Sequence, residues 1–112
     1  MTKRVEKPAS PDAADAVARD IEYRLSETIP AYGEDISVIK MRKPNGADLI
    51  RIGNPVLFYP HAEPVKIEHD MLKMIAMIAR LSGIPTSSLE RLNTIDMLGI
   101  AWTLSPFFIP AP

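Results

Sequence analysis

Residues 20–42 have the sequence DIEYRLSETIPAYGEDISVIKMR, and this stretch decides the class of the fold. Apolar and polar residues alternate from Ile21 to Ser26, which is the period of a half-buried strand. Segment 29–35 contains Pro and Gly where a turn needs them, and a β-branched run continues to Met41. The pattern predicts a β-hairpin over 20–42. Because a lone hairpin is marginal in water, its apolar face must pack on the rest of the chain or on a second subunit.

The residues before the hairpin are small, charged or proline, and the first fifteen include a single Val. They offer too little apolar surface to offset the entropy of ordering, so we predict a flexible tail over 1–19. One competing structure remains open. Val17, Ile21 and Leu25 are four residues apart and would lie on one face of a helix, although the alternation after Ile21 favours the strand.

Downstream of the hairpin, the sequence favours helices. A short helix is predicted over 45–53, beginning near Pro44 and ended by Gly53, and a proline-containing loop follows over 54–65. A longer helix is predicted over 67–82, with Gly83 as its C-terminal cap. Its predicted apolar face consists of Ile67, Met71, Met74, Ile75, Ile78 and Leu81. A polar wedge lies opposite, formed by His69, Lys73 and Arg80, with Met77 among them.

Two further helices are predicted near the C-terminus. Ser87 and Glu90 have the spacing of a capping box, which predicts a helix over 87–92. Thr94 is the predicted cap of a helix over 94–105, whose first turn is favoured by the charge of Asp96. This last helix is apolar on both sides, with Ile95, Leu98 and Trp102 on one and Met97, Ala101, Leu104 and Phe108 on the other. We therefore predict a single α+β domain over 20–112, an N-terminal hairpin followed by a small bundle of three to four helices.

Composition limits the classes of function. The 112 residues carry a formal net charge of −1 and contain no cysteine, so neither a global basic field for nucleic acid nor a thiolate metal site is available. No apolar run reaches the roughly 18 residues that span a bilayer. The two histidines, His61 and His69, do not form a HExxH motif, and no phosphate loop or nucleophile elbow is present. We expect no catalytic, cofactor or metal site, no membrane insertion, and a reducing cytosolic compartment.

An alternative is a helix-turn-helix regulator of DNA. Ala79, Gly83 and the aliphatic residues at 84, 89 and 92 have the spacing of that motif. Its reading helix would cover 86–92 and would offer one cation, Arg91. Two packed helices produce this spacing by chance, so nucleic acid is the weaker hypothesis.

The methionines and the apolar C-terminal region favour a protein partner instead. Unbranched thioether side chains adapt to irregular surfaces as well as fill core gaps. Met71 and Met74 fit core packing better, whereas Met77 fits either role. The candidate partner-binding residues are Met74, Met77, Met97, Trp102, Phe107 and Phe108.

Three segments carry a family resemblance: 41–49 (MRKPNGADL), 77–85 (MIARLSGIP) and 101–108 (AWTLSPFF). In their order and spacing the chain resembles the tail assembly chaperones of Mu-like and other contractile-tailed phages and prophages, the protein E group, over about 21–110. The resemblance implies a protein that coats the apolar, helical tape-measure protein in the host cytoplasm before the tail tube polymerises. It also implies, in some members, a longer frameshifted form. Self-association is expected separately, from the helix over 94–105 that is apolar on both sides. A structural tail component is a third hypothesis.

Overall fold

Two antiparallel β-hairpins and four helices make up the part of the chain that the computed structural model describes, residues 21–110. In chain order the elements are β1 (Ile21–Ala31), β2 (Glu34–Met41), α1 (Gly46–Ile52), β3 (Val56–Tyr59), β4 (Lys66–His69), α2 (Met71–Ser82), α3 (Thr86–Leu89), α4 (Thr94–Leu104) and a 3₁₀ turn (Ser105–Phe107). The α+β class is confirmed. The tail predicted over 1–19 lies outside the described residues.

The first hairpin forms where the alternation predicts it, and the strand prevails over the competing helix from residue 21 onward. Its turn is tighter than expected, because β1 continues through Ala31 and pairs it with Glu34. The two remaining residues, Tyr32 and Gly33, have φ angles of 55° and 79°. Positive φ at both central positions is the geometry of the two-residue turns whose twist matches that of paired strands.

The apolar face of this hairpin packs on helices of the same chain. Its buried residues are Ile21, Leu25, Ile29 and Ala31 from β1 and Ile39 and Met41 from β2, and they share one core with α2 and α4. The amide of Arg42 also donates to the carbonyl of Leu81 at 3.2 Å. The cover that the hairpin needs is therefore supplied within the chain.

An irregular segment of β1 is held by the start of α4. The pairing register shifts between Arg24 and Ile29, and within that segment the amide and hydroxyl of Ser26 both donate to the carboxylate of Asp96 at 3.0 to 3.1 Å. Asn93, and not the predicted Thr94, caps α4, since its side chain accepts from the amide of Asp96. Asp96 is buried, and its carboxylate binds Ser26 of β1 in addition to its expected role in the first turn of the helix.

A second hairpin, β3 with β4, corrects two predictions. The segment 54–65 is not simply a loop, because 56–59 pairs with 66–69, from Val56 opposite His69 to Tyr59 opposite Lys66. The helix predicted over 67–82 consequently begins at Met71, where the carboxylate of Asp70 accepts from the amide of Lys73. The run 56–59 is apolar and aromatic, which suits a strand, but the prolines around it led to the prediction of a loop.

Helix α3 is also shorter than predicted. It spans Thr86–Leu89, and its N-cap, Pro85, makes no side-chain hydrogen bond, so the capping box of Ser87 and Glu90 does not form. The fixed φ of Pro85, −65°, lets the helical turn begin directly after it, which places Ser87 inside the helix. A capping box does form at α1, between Asn45 and Asp48.

Candidate partner-binding surface

An apolar groove lies between α2 and α4, with α3 at one end. We call it the α2–α4 groove. Its volume is about 300 Å³, and it is lined by Met71, Leu72, Ile75, Leu89, Glu90, Leu92 and Met97. Leu72 is 83% exposed, whereas Leu89 is buried and forms the floor. One carboxylate is the only charged group among these seven side chains.

The groove exists because α2 is apolar over more than one face. Met74, Ile78 and Leu81 point into the core, whereas Met71 and Ile75 are half-buried and, with Leu72, face the groove. Residues one and four apart on a helix differ in direction by about 100° and 40°, so a single stripe cannot hold all six. The surplus apolar residues of the first two turns remain available to a partner.

A second apolar surface follows the outer side of α4. Ile95, Leu98 and Trp102 are spaced three and four apart and are 75%, 44% and 54% exposed. The helical wheel placed these three residues on one side of the helix, and the structure makes that side the outer one, while Ile100, Ala101 and Leu104 are buried on the inner side. A stripe of exposed apolar residues on a small protein is typical of a surface for a partner or a second copy.

His69 connects the end of this stripe to the start of α2. Its ring meets that of Trp102 edge-on, with centroids 4.7 Å apart. Its Nε2 lies 2.8 Å from the hydroxyl of Ser105, which itself donates to the carbonyl of Ala101, so Nε2–H is the donor. Burial lowers the pKa of His69 and favours its neutral form.

A buried carboxylate ties three segments of the chain together. Asp48 is fully buried and accepts from both terminal nitrogens of Arg42 at 2.7 Å, from the amide of Asn45 at 2.8 Å, and from Nε of Arg80. These hydrogen bonds, led by those from Arg42, hold the pKa of Asp48 well below its usual range, and Asp48 raises that of Arg42. The end of the first hairpin, the start of α1 and the end of α2 are thereby fixed in one arrangement.

The side chains of Arg42, Asp48 and Arg80 lie in two of the segments that carry the family resemblance, 41–49 and 77–85. A family model described as phage tail assembly chaperone proteins, E, or 41 or 14, matches residues 22–109. The chain belongs to this family. No curated protein and no solved structure matches it. Membership in a chaperone family indicates that the protein acts on other proteins during tail assembly and suggests a role other than catalysis.

The structure divides the predicted site residues of this chaperone into two groups. Trp102 and Phe107 are exposed, and Met97 is half-buried in the groove wall. Met74 and Met77 are fully buried, and Phe108 is 8% exposed. Met74 and Met77 are thus core residues, whereas Phe108 belongs to the core and also lines two surface pockets beside Asn54. Partner binding by these residues stays a prediction.

Met77, for which the sequence left core packing and partner binding open, is buried although it lies within the polar wedge of α2. Arg80 reaches Asp48 of α1, and the side chain of Lys73 lies against Gly53, where an added Cβ would come within 3.2 Å of it. Met77 lies between Lys73 and Arg80 along α2 and is part of the hydrophobic core. Leu72, which lies outside the predicted apolar stripe, is the exposed residue that this reasoning missed.

The helix that would read DNA under the regulator hypothesis is short. Helix α3 has four residues, a single turn, whereas a recognition helix needs several turns to present three or four side chains to a major groove. Arg91 lies beside the turn of the first hairpin, in a cleft that it shares with Tyr32 and Gly33.

Within residues 21–110 no helix has the length and apolar character to cross a membrane, and no three potential metal ligands cluster.

Proposed function

We propose that this chaperone binds an apolar helical segment of the tape-measure protein in the α2–α4 groove and keeps that segment from aggregating until the tail tube forms. The observation that carries the proposal is the groove itself, open to solvent and lined by six apolar side chains and one carboxylate. Covering such a cleft with an apolar partner removes apolar surface from water, which stabilises the complex by about 25 cal/mol per Å² of apolar surface buried.

Groove shape and side-chain type favour a helix as the ligand. An amphipathic helix binds by laying its apolar face into a hydrophobic groove, with anchors at positions i, i+3 or i+4, and i+7. Met71 and Met97 lie on the two opposite walls. Flexible thioether side chains adapt to different partner surfaces, which suits a chaperone that must cover many successive segments of a long protein.

The outer stripe of α4 serves self-association in this proposal. If copies of the chaperone cover neighbouring segments of one tape-measure helix, their outer surfaces meet, and exposed Ile95 and Trp102 would be buried between copies. We place this assembly in the host cytoplasm.

The proposal is tested by co-expressing the chaperone with a tagged tape-measure fragment and measuring how much chaperone co-purifies. Leu72→Glu is the variant of choice. Leu72 is 83% exposed in the first turn of α2, where an acid is compatible with the helix dipole, so the fold is retained. In the complex the same charge would be buried against an apolar partner, and we expect at least a tenfold loss of retained chaperone.

Ile50→Glu is the matched control. Ile50 is 86% exposed on α1 and does not line the groove, so the same change in charge should leave co-purification unchanged. Equal retention of both variants and wild type would contradict the groove as the site. A gel shift with Arg91→Ala beside wild type tests the regulator hypothesis, under which wild type binds DNA and the variant loses specific binding.

A further inference from the structure

The single charged side chain of the groove points to a property of the ligand. Glu90 lines the α2–α4 groove and is exposed at the C-terminal end of α3. Its backbone amide is used within the helix, donating to the carbonyl of Thr86 at 2.9 Å. Its carboxylate makes no ion pair or hydrogen bond with any residue in 21–110.

No Lys or Arg is among the side chains that line the groove. Arg91 lines a different cleft, beside the turn of the first hairpin. On α2, Lys73 is 4.0 Å from Asp70 and Arg80 is bound to Asp48. The lining of the groove therefore carries one negative charge, that of Glu90, and is otherwise apolar.

We propose that the helix bound in this groove carries a lysine or arginine next to its apolar stripe, and that this cation pairs with Glu90. The inference rests on the proposed function and specifies the ligand. Any occupant removes water from around the carboxylate, which costs free energy unless an opposite charge replaces it. When a wholly apolar or acidic helix binds, no opposite charge offsets the desolvation of Glu90. Glu90 therefore favours a basic helix over the other two.

A second copy of the chaperone fits this requirement poorly. Its most exposed helical stripe is Ile95, Leu98 and Trp102 on α4, and no Lys or Arg occurs between residues 92 and 112. Docking that helix would leave Glu90 without a cation. Charge complementarity thus favours a separate basic amphipathic helix over self-docking as the occupant.

The test uses the full chain and three fluorescent helical peptides in an anisotropy titration. The peptides share one leucine stripe and differ at a single position beside it, which holds Lys, Gln or Glu. For wild type we expect the Lys peptide to bind on the order of fivefold more tightly than the Gln peptide, and the Glu peptide to bind more weakly still. This preference should decrease at high salt.

Variants of Glu90 assign the preference to this residue. Glu90→Gln should abolish it and Glu90→Lys should reverse it, whereas the control Glu27→Lys, at an exposed position of β1, should retain it. Because both positions are exposed, thermal midpoints should match that of wild type. A preference that is absent in wild type, or that survives Glu90→Lys, overturns the inference.

The outcomes also separate this inference from the proposed function. Equal binding of all three peptides, abolished by Leu72→Glu, leaves the groove as the binding site and refutes only the role of Glu90. No binding of any peptide refutes both. Tighter binding of a peptide of residues 92–106 than of the Lys peptide would make a second copy the occupant and overturn the inference.

Discussion

Replacing Asp48 by asparagine should destabilise the protein by about 3 kcal/mol at pH 7. The carboxylate is fully buried and accepts four hydrogen bonds, three of them from guanidinium groups. Removing one partner of a buried ion pair costs about 3–5 kcal/mol. The side chains of Arg42 and Arg80 are 31% and 33% exposed, so water reaches them after the change and the lower figure applies.

The assay is thermal unfolding followed by circular dichroism from pH 7 to pH 2.5. For a domain of this size, about 3 kcal/mol corresponds to a decrease in Tm of roughly 12–24 °C. The pKa of Asp48 is lowered in the folded state, so its stabilisation is complete above the unfolded value of about 3.9 and is lost as pH falls through the folded value. The difference in Tm between wild type and variant should therefore narrow below about pH 4.

Asp35→Asn provides the control, since Asp35 is exposed on β2 and undergoes the same chemical change. Its Tm should remain close to that of wild type. A decrease of less than about 3 °C for Asp48→Asn at pH 7 would refute the reasoning, because about 1 kcal/mol already shifts Tm by 4–8 °C. A Tm difference that stayed constant down to pH 2.5 would show that shape, and not charge, is the cause.

Three further predictions concern packing and assembly. Gly99→Ala should destabilise the fold by about 1–3 kcal/mol in denaturant unfolding, because a Cβ there would lie 2.7 Å from a ring carbon of Tyr23 as well as against its hydroxyl. The same substitution should cost less in a Tyr23→Ala background. Deleting residues 1–19 should leave Tm nearly unchanged, since they carry little apolar surface; a large decrease would mean that a helix through Val17 packs on the domain. The purified protein should self-associate in sedimentation experiments at high concentration, and Leu98→Glu should weaken that association; a strictly monomeric wild type would contradict it.

Patterns of short range in the sequence predict much of the fold. The alternation after Ile21 predicts the first strand, and Gly53 and Gly83 mark the ends of α1 and α2 correctly, with Gly83 at a φ of 79°. The wheel of α4 places Ile95, Leu98 and Trp102 together on one side, although only the structure shows that this side is the exposed one. These features depend on residues a few positions apart, whose geometry is fixed by the period of the helix or strand.

Errors arise where a distant segment decides the outcome. Residues 66–69 continue the helical period of α2 but form a strand, because 56–59 supplies a partner and the amide of Asp70 donates to the carbonyl of Pro55 at 2.8 Å. Thr94 has the residue type of a cap, yet Asn93 takes that role while Asp96 binds Ser26, 70 positions away. No local pattern contains information about such a partner.

The sequence by itself determined the fold class, the first hairpin, the approximate helices and the surplus of apolar side chains that favours a protein partner. Tertiary structure decided which of those side chains are available. Met77 lies among polar neighbours in the sequence but is fully buried in the core that α2 shares with the first hairpin and α4, while Leu72 remains 83% exposed at the groove. Helical periodicity gives the direction of a side chain, but burial depends on which element packs against that direction, and that element is often distant in the sequence.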